Sequence, residues 1–186
     1  MKFKTLGEYF LFIYFINLFV SCNRYIDKVS NFNNSPIKQG YFYFYPDSNV
    51  LVYKPEIILS MDREKLFPKS FKVKLPKKLK YYEITGTNDL SLYYPNNQTI
   101  FIRIDLQNNE LLHDTSYFPQ KQELDRIIQS KLNMQKSKFD IKSISYRQSR
   151  KQVIIKRGPA TILLYNIENK NYELFFKYLN GLYFIN

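Results

Sequence analysis

Apolar residues recur along this chain at two different spacings. Between positions 41 and 106 the spacing is two. Tyr41-Phe42-Tyr43-Phe44-Tyr45 and Val50-Leu51-Val52-Tyr53 flank Pro46-Asp47-Ser48-Asn49, which predicts a hairpin. Phe71-Lys72-Val73-Lys74-Leu75 alternates strictly, as a half-buried strand with its lysines outward does. Further strands are predicted at 81–85, 90–94 and 99–106, separated by Thr87-Asn88-Asp89 and Pro95-Asn96-Asn97. After Pro119 the spacing changes to that of a helix, with Leu124, Ile127, Ile128 and Leu132 on one face. Strands are then predicted at 141–147, 152–156 and 161–167, the last two joined by Arg157-Gly158-Pro159. A closing helix over 169–180 carries Tyr172, Phe175, Phe176 and Leu179, and Gly181 stands in the C-terminal capping place.

Many strands, a helix, three strands and a helix predict an α+β fold: one antiparallel sheet of about six to nine strands with two amphipathic helices packed on one face. The closing order of three strands and a helix ending in Phe175-Phe176, Leu179, Gly181 and Leu182 resembles the Mog1/PsbP-like fold in element order, with no residue motif behind it.

The segment from Met1 to Cys22 is built differently. Lys2 and Lys4 precede an apolar run from Phe10 to Val20, interrupted by Asn17, and Ser21-Cys22 follows. Basic, apolar and then small is the plan of a secretory signal. The run is shorter than the roughly 20 apolar residues that a membrane-spanning helix needs. Leu18-Phe19-Val20-Ser21-Cys22 resembles the lipobox of bacterial lipoproteins, with Phe19 in place of the usual leucine. The resemblance implies diacylglycerol on the Cys22 sulfur, cleavage before Cys22 and palmitate or a similar acyl group on the new amino terminus. It also implies an envelope location, and Asn23 behind the cysteine favours the outer membrane over the inner one.

Three segments follow from this: a signal peptide over 1–21, a lipid-anchored tether over 22–39 and a single domain over 40–186. The tether region holds Pro36 and four asparagines with no regular period. Cys22 is the single cysteine, so an acylated chain has no disulfide and depends on its core for stability.

Composition adds two facts. Aromatic residues make up 18% of the chain while alanine appears once, at Ala160, so Phe, Tyr and Ile must fill the core. The net charge is +12, and loss of Lys2, Lys4 and Glu8 with the signal lowers it to +11. The excess is clustered. Positions 69–80 hold six lysines and no acid, and 131–157 hold nine basic residues against Asp140. Lys72, Lys74, Lys77, Lys78 and Lys80 in the first stretch, with Arg147, Arg150 and Lys151 in the second, are the candidate anion-binding residues. Phospholipid headgroups and lipopolysaccharide phosphates suit an exported protein better than nucleic acid, for which no motif is present.

Catalytic chemistry finds little support. One histidine and one cysteine exclude a zinc site of the usual spacing, and there is neither a Gly-rich phosphate loop nor a Gly-x-Ser-x-Gly elbow. Asp105, Glu110, His113 and Asp114 form the one polar cluster with acid–base potential, and a solvated loop is the better reading. Tyr81-Tyr82 and Tyr93-Tyr94 invite a glycan-stacking role, although strand geometry predicts that one member of each pair enters the core. The expectation is a non-catalytic envelope binding module without a cofactor, touching an envelope protein or an anionic surface such as lipopolysaccharide or glycan. A toxin-immunity or inhibitor-like lipoprotein is the alternative.

Overall fold

The computed structural model describes residues 36–59, 65–106, 114–134 and 146–185. The anchor segment through Cys22, the cluster members Glu110 and His113, and positions 141–145 of a predicted strand lie outside these residues. Among the described residues, no helix is long and apolar enough to cross a membrane.

The strands divide between two principal sheets, and every described strand pair is antiparallel. The smaller sheet has five strands: β1 (Ile37–Gln39), β2 (Phe42–Tyr45), β3 (Val50–Tyr53), β6 (Ser70–Lys74) and β13 (Tyr183–Ile185), in the order β1-β2-β3-β6-β13. Between β3 and β6 the chain makes a two-stranded ribbon, β4 (Ile58–Leu59) and β5 (Lys65–Leu66). The larger sheet has six strands: β7 (Tyr81–Thr85), β8 (Asp89–Tyr93), β9 (Thr99–Ile104), β10 (Thr115–Tyr117), β11 (Lys151–Arg157) and β12 (Ala160–Ile167), in the order β10-β11-β12-β9-β8-β7. Helix α1 spans Lys121–Met134 and α2 spans Asn169–Asn180.

The two sheets pack face to face. Phe42, Phe44, Leu51, Tyr53, Phe71 and Val73 of the smaller sheet share one core with the inward residues of β8, β9, β11 and β12. The aromatic content predicted by composition is placed here: Tyr53 stacks on Phe71 at 5.3 Å between ring centroids, and Phe44 on Tyr82 at 4.3 Å. Helix α2 packs Phe175 and Leu179 into this same core, touching β11, β12 and β6. Helix α1 lies on the other face of the six-stranded sheet. There Leu124, Ile127 and Ile128 cover Tyr93, Phe101, Ile154, Leu163 and Tyr165.

This arrangement corrects two expectations. The strands form two sheets rather than one, and the helices lie on opposite faces of the larger sheet. The reason is that β8, β9, β11 and β12 turn a continuous apolar face to the smaller sheet and an apolar patch, Tyr93, Phe101, Ile154, Leu163 and Tyr165, to the other side, so both need a cover. For the same reason Tyr93 and Tyr94 are both buried: Tyr93 lies beneath α1, and Tyr94 meets Phe175 edge-on at 5.0 Å. Tyr81 and Tyr82 are half-buried, so neither pair presents an open stacking platform.

Local chemistry sets the connections. Asn49, Asn96, Asn97 and Gly158 take positive φ values in the turns that asparagine and glycine announce in the sequence. Gly181 caps α2 without that conformation. Its φ is −83°, and its N–H donates to the carbonyls of Lys177 and Tyr178. β1 falls within the stretch read as tether, so the domain already begins at Ile37.

Burial raises the pKa values of several tyrosines, among them Tyr53 and Tyr81, and pushes Tyr165 up to about 12. Tyr117 also rises to about 12, chiefly by burial and then through its hydrogen bond to Glu123. A group whose folded pKa exceeds its unfolded value stabilises the fold fully below the unfolded value and loses that contribution as pH rises through the folded one. The domain is therefore expected to hold Tyr53, Tyr81, Tyr117 and Tyr165 neutral above pH 10, the unfolded value, and to unfold cooperatively as the pH approaches about 12. Ultraviolet titration of tyrosinate alongside circular dichroism checks this. Titration of these four tyrosines near pH 10 with the fold intact would contradict it.

Candidate functional site

The structure separates the eight predicted basic residues into different settings. Lys72 and Lys74 lie on β6 and point away from the core, as strict alternation requires. Lys77 and Lys78 follow in the connection to β7, both exposed, and line a cleft of about 320 Å³ at the start of α2 with Asn96, Gln98, Glu168 and Lys170. Lys80 is half-buried beside the sheet edge, where its backbone N–H donates to the Tyr93 carbonyl. Arg147 is exposed, and its backbone N–H donates to Asn166 Oδ1 at 3.0 Å.

Arg150 does not serve as an open anion receptor. Its side chain is 12% exposed, its guanidinium stands 3.5 Å from the Glu168 carboxylate, and it donates to the carbonyls of Asn96 and Asn166. Lys151 lies on another part of the surface, with its ammonium 5.8 Å from the centre of the Phe118 ring and 6.0 Å from that of Tyr172. Of the second stretch, Arg150 reaches Glu168 and Asn96 in the cleft that Lys77 and Lys78 line, while the residues after it enter β11 of the other sheet.

The floor of the cleft is a polar knot. Glu168, extended just before α2, accepts hydrogen bonds from Asn96 Nδ2 at 2.9 Å and Asn171 Nδ2 at 3.2 Å, and ion-pairs with Lys170 as well as Arg150. Gln98 Oε1 accepts from the Glu168 backbone N–H and from Asn171 Nδ2. A carboxylate so engaged holds the Pro95–Asn97 turn, β11 and α2 together. The chemistry offered at the rim is that of cations toward an anion.

Of the proposed acid–base cluster, Asp105 and Asp114 are described. Both come to the β11–β12 turn: the Asp105 N–H donates to the Pro159 carbonyl, and Asp114 accepts from the Gly158 N–H while pairing with Arg157. Arg157 also donates to the Asn180 carbonyl, so Asp114 belongs to a junction between that turn and the end of α2. No group of three or more metal-ligating side chains gathers among the described residues.

A surface that the linear reading did not assemble lies on the outside of the five-stranded sheet. Lys38, Tyr43, Val52, Lys72 and Tyr183 are successive register partners across all five strands. Tyr45, Val50 and Lys74 form the neighbouring row. Lys38 sits 5.4 Å from the centre of the Tyr43 ring, and Lys74 5.0 Å from that of Tyr178, so these cations rest against aromatic faces. The Tyr/Phe alternation of 41–45 carries a signal for this surface, since it puts Phe42 and Phe44 inward and Tyr43 and Tyr45 outward. The adjacency of Lys38 and Tyr183 has no such signal.

The fold and its surface define an antiparallel α+β sandwich with a cationic, aromatic open face. Compared with protein-family models, curated proteins and solved structures, the chain matches none.

Proposed function

We propose that the chain is a bacterial lipoprotein of the cell envelope, anchored by acyl groups on Cys22, whose α+β domain binds a partner rather than transforming a substrate. The observation that carries the anchor is Ser21-Cys22 placed directly behind the Phe10–Val20 apolar run and a basic start. Asn23 favours the outer membrane as its destination. Two acyl chains, or one chain with a basic patch, are what stable attachment requires physically.

A binding role is supported by the side chains available on the surface. The conspicuous carboxylates, Glu168, Asp114 and Asp89, are engaged by Arg150, Arg157 and Arg103 respectively, while lysines and tyrosines line the open face. That balance favours an anionic surface, phospholipid or lipopolysaccharide, over a toxin-inhibitor role, which would be expressed as one tight, stoichiometric protein partner.

Metabolic labelling with a clickable palmitate analogue tests the anchor. Wild-type protein is expected to take up label and fractionate with membranes, and Cys22→Ser is expected to lose both. Label absent from both proteins rejects the anchor and the location that follows from it.

A further inference from the structure

The outer face of the five-stranded sheet has an unusual composition for an exposed β-surface. Its outward strand positions are Lys38, Tyr43, Tyr45, Val50, Val52, Ser70, Lys72, Lys74, Tyr183 and Ile185, with no aspartate or glutamate among them. Tyr183 is 52% exposed and Lys38 and Lys74 are exposed as well, while Tyr43, Tyr45 and Lys72 are half-buried and Val52 at the centre is buried. Lysines commonly guard sheet edges against pairing with other chains. That role does not account for Lys72, which is paired on both sides, with Val52 of β3 and Tyr183 of β13.

We propose that this face is the surface by which the domain lies against an anionic lipid bilayer. Phosphates of the headgroups pair with Lys38, Lys72 and Lys74, and the rings of Tyr43, Tyr45 and Tyr183 sit at headgroup depth. The proposal rests on the anchored-lipoprotein reading and adds to it an orientation and a ligand.

Two observations single out the bilayer. The first is charge: a face whose outward strand positions carry three lysines and no acid complements anionic headgroups, and tyrosine is suited to a boundary that is apolar on one side and wet on the other. The second is where the chain enters the domain. β1 is the edge strand of this same sheet, and its first residue, Ile37, follows closely on Cys22 in the chain. As a flexible coil a linker of that length has an r.m.s. span of roughly 20 Å, which holds this sheet near the anchoring membrane. Among the described residues, helix α1, on the opposite side of the sandwich, intersperses Glu123 and Asp125 with its cations.

The chain has no tryptophan, so a single indole reports from any chosen position. The full chain carrying Cys22→Ser is mixed with phosphatidylglycerol/phosphatidylcholine vesicles or with phosphatidylcholine vesicles, each containing lipid brominated near the headgroup. With Tyr183→Trp added, quenching is expected on the anionic vesicles alone and is lost in high salt. With Gln122→Trp on α1 instead, no quenching is expected. Lys72→Gln with Lys74→Gln should reduce the preference for anionic over neutral vesicles about thirtyfold, at the usual contribution of a lysine near an anionic surface. Lys121→Gln with Lys156→Gln, an equal change of charge on the face that carries α1, should leave most of that preference in place.

Equal quenching at both positions, no anionic preference, or an equal loss in the two lysine pairs overturns the proposal. So does tighter binding to a single-stranded oligonucleotide than to the anionic vesicles. Palmitate labelling separates the two readings. Label on Cys22 without vesicle preference rejects the face and leaves the anchor standing, whereas preference without label supports the face and rejects the anchor.

Discussion

Phe71→Ala is expected to destabilise the domain by about 3–5 kcal/mol, the usual cost of emptying a large aromatic site in a packed core. Phe71 is fully buried on β6. Its ring stacks on Tyr53 at 5.3 Å and meets Phe184 edge-on at 6.4 Å, so it joins β3, β6 and β13. Truncation removes ring contacts on both sides, and the two flanking strands limit how far the site can collapse. A domain of this size has a total stability of about 5–15 kcal/mol. The chain has one cysteine, so no internal disulfide supplements the core. Equilibrium unfolding in urea, followed by circular dichroism, measures the loss. Phe71→Leu should lose less, because it leaves a smaller void. A Phe71→Ala loss under about 1 kcal/mol would show that this aromatic seam does not hold β3, β6 and β13 together.

The second large effect is expected at Asn166, fully buried near the end of β12. Its φ is +55°, beside the irregularity in register between Lys151 and Val153 of β11. Its Oδ1 accepts from the Arg147 N–H at 3.0 Å and from Gln152 Nε2 at 3.2 Å, while its own N–H donates to Gln152 Oε1 at 2.6 Å. Asparagine therefore meets two requirements together: it tolerates a left-handed backbone and provides a buried acceptor. Asn166→Ala loses both and should cost about 2–4 kcal/mol, combining backbone strain with the desolvation of partners left behind. Asn166→Gly relieves the strain while losing the acceptor, so it should be the milder by about 1 kcal/mol. Thermal and urea unfolding of the pair separate the two contributions. Equal losses would mean that the backbone conformation is not under strain.

The local elements were largely legible in the sequence because their signals are local. The closing helix spans 169–180 as its apolar spacing predicts, and the hairpins about Pro46–Asn49 and Gly158-Pro159 form where turn residues interrupt alternation. The Lys/Val/Phe alternation of β6 placed Lys72 and Lys74 outward correctly. Short strands were not legible. β1, β10 and β13 are too short for a period to emerge, and they exist because a neighbouring strand offers its backbone. Candidate site residues fared according to their partners. Arg150 looks like any other cation in a basic stretch, yet Glu168, beyond the whole of β11 and β12, removes it from the surface.

Alternation, helical spacing, turn residues and the character of the segment through Cys22 are short-range properties, and by themselves they determined the antiparallel α+β character, two amphipathic helices and the expectation of export. Tertiary structure alone decided that the strands divide into two sheets, that α1 and α2 cover opposite faces of the larger one, and that Lys38, Tyr43, Lys72 and Tyr183 become neighbours. The physical reason is that burial is settled between elements. An apolar strand face must find a cover, but which element provides it depends on long-range packing that no local pattern encodes.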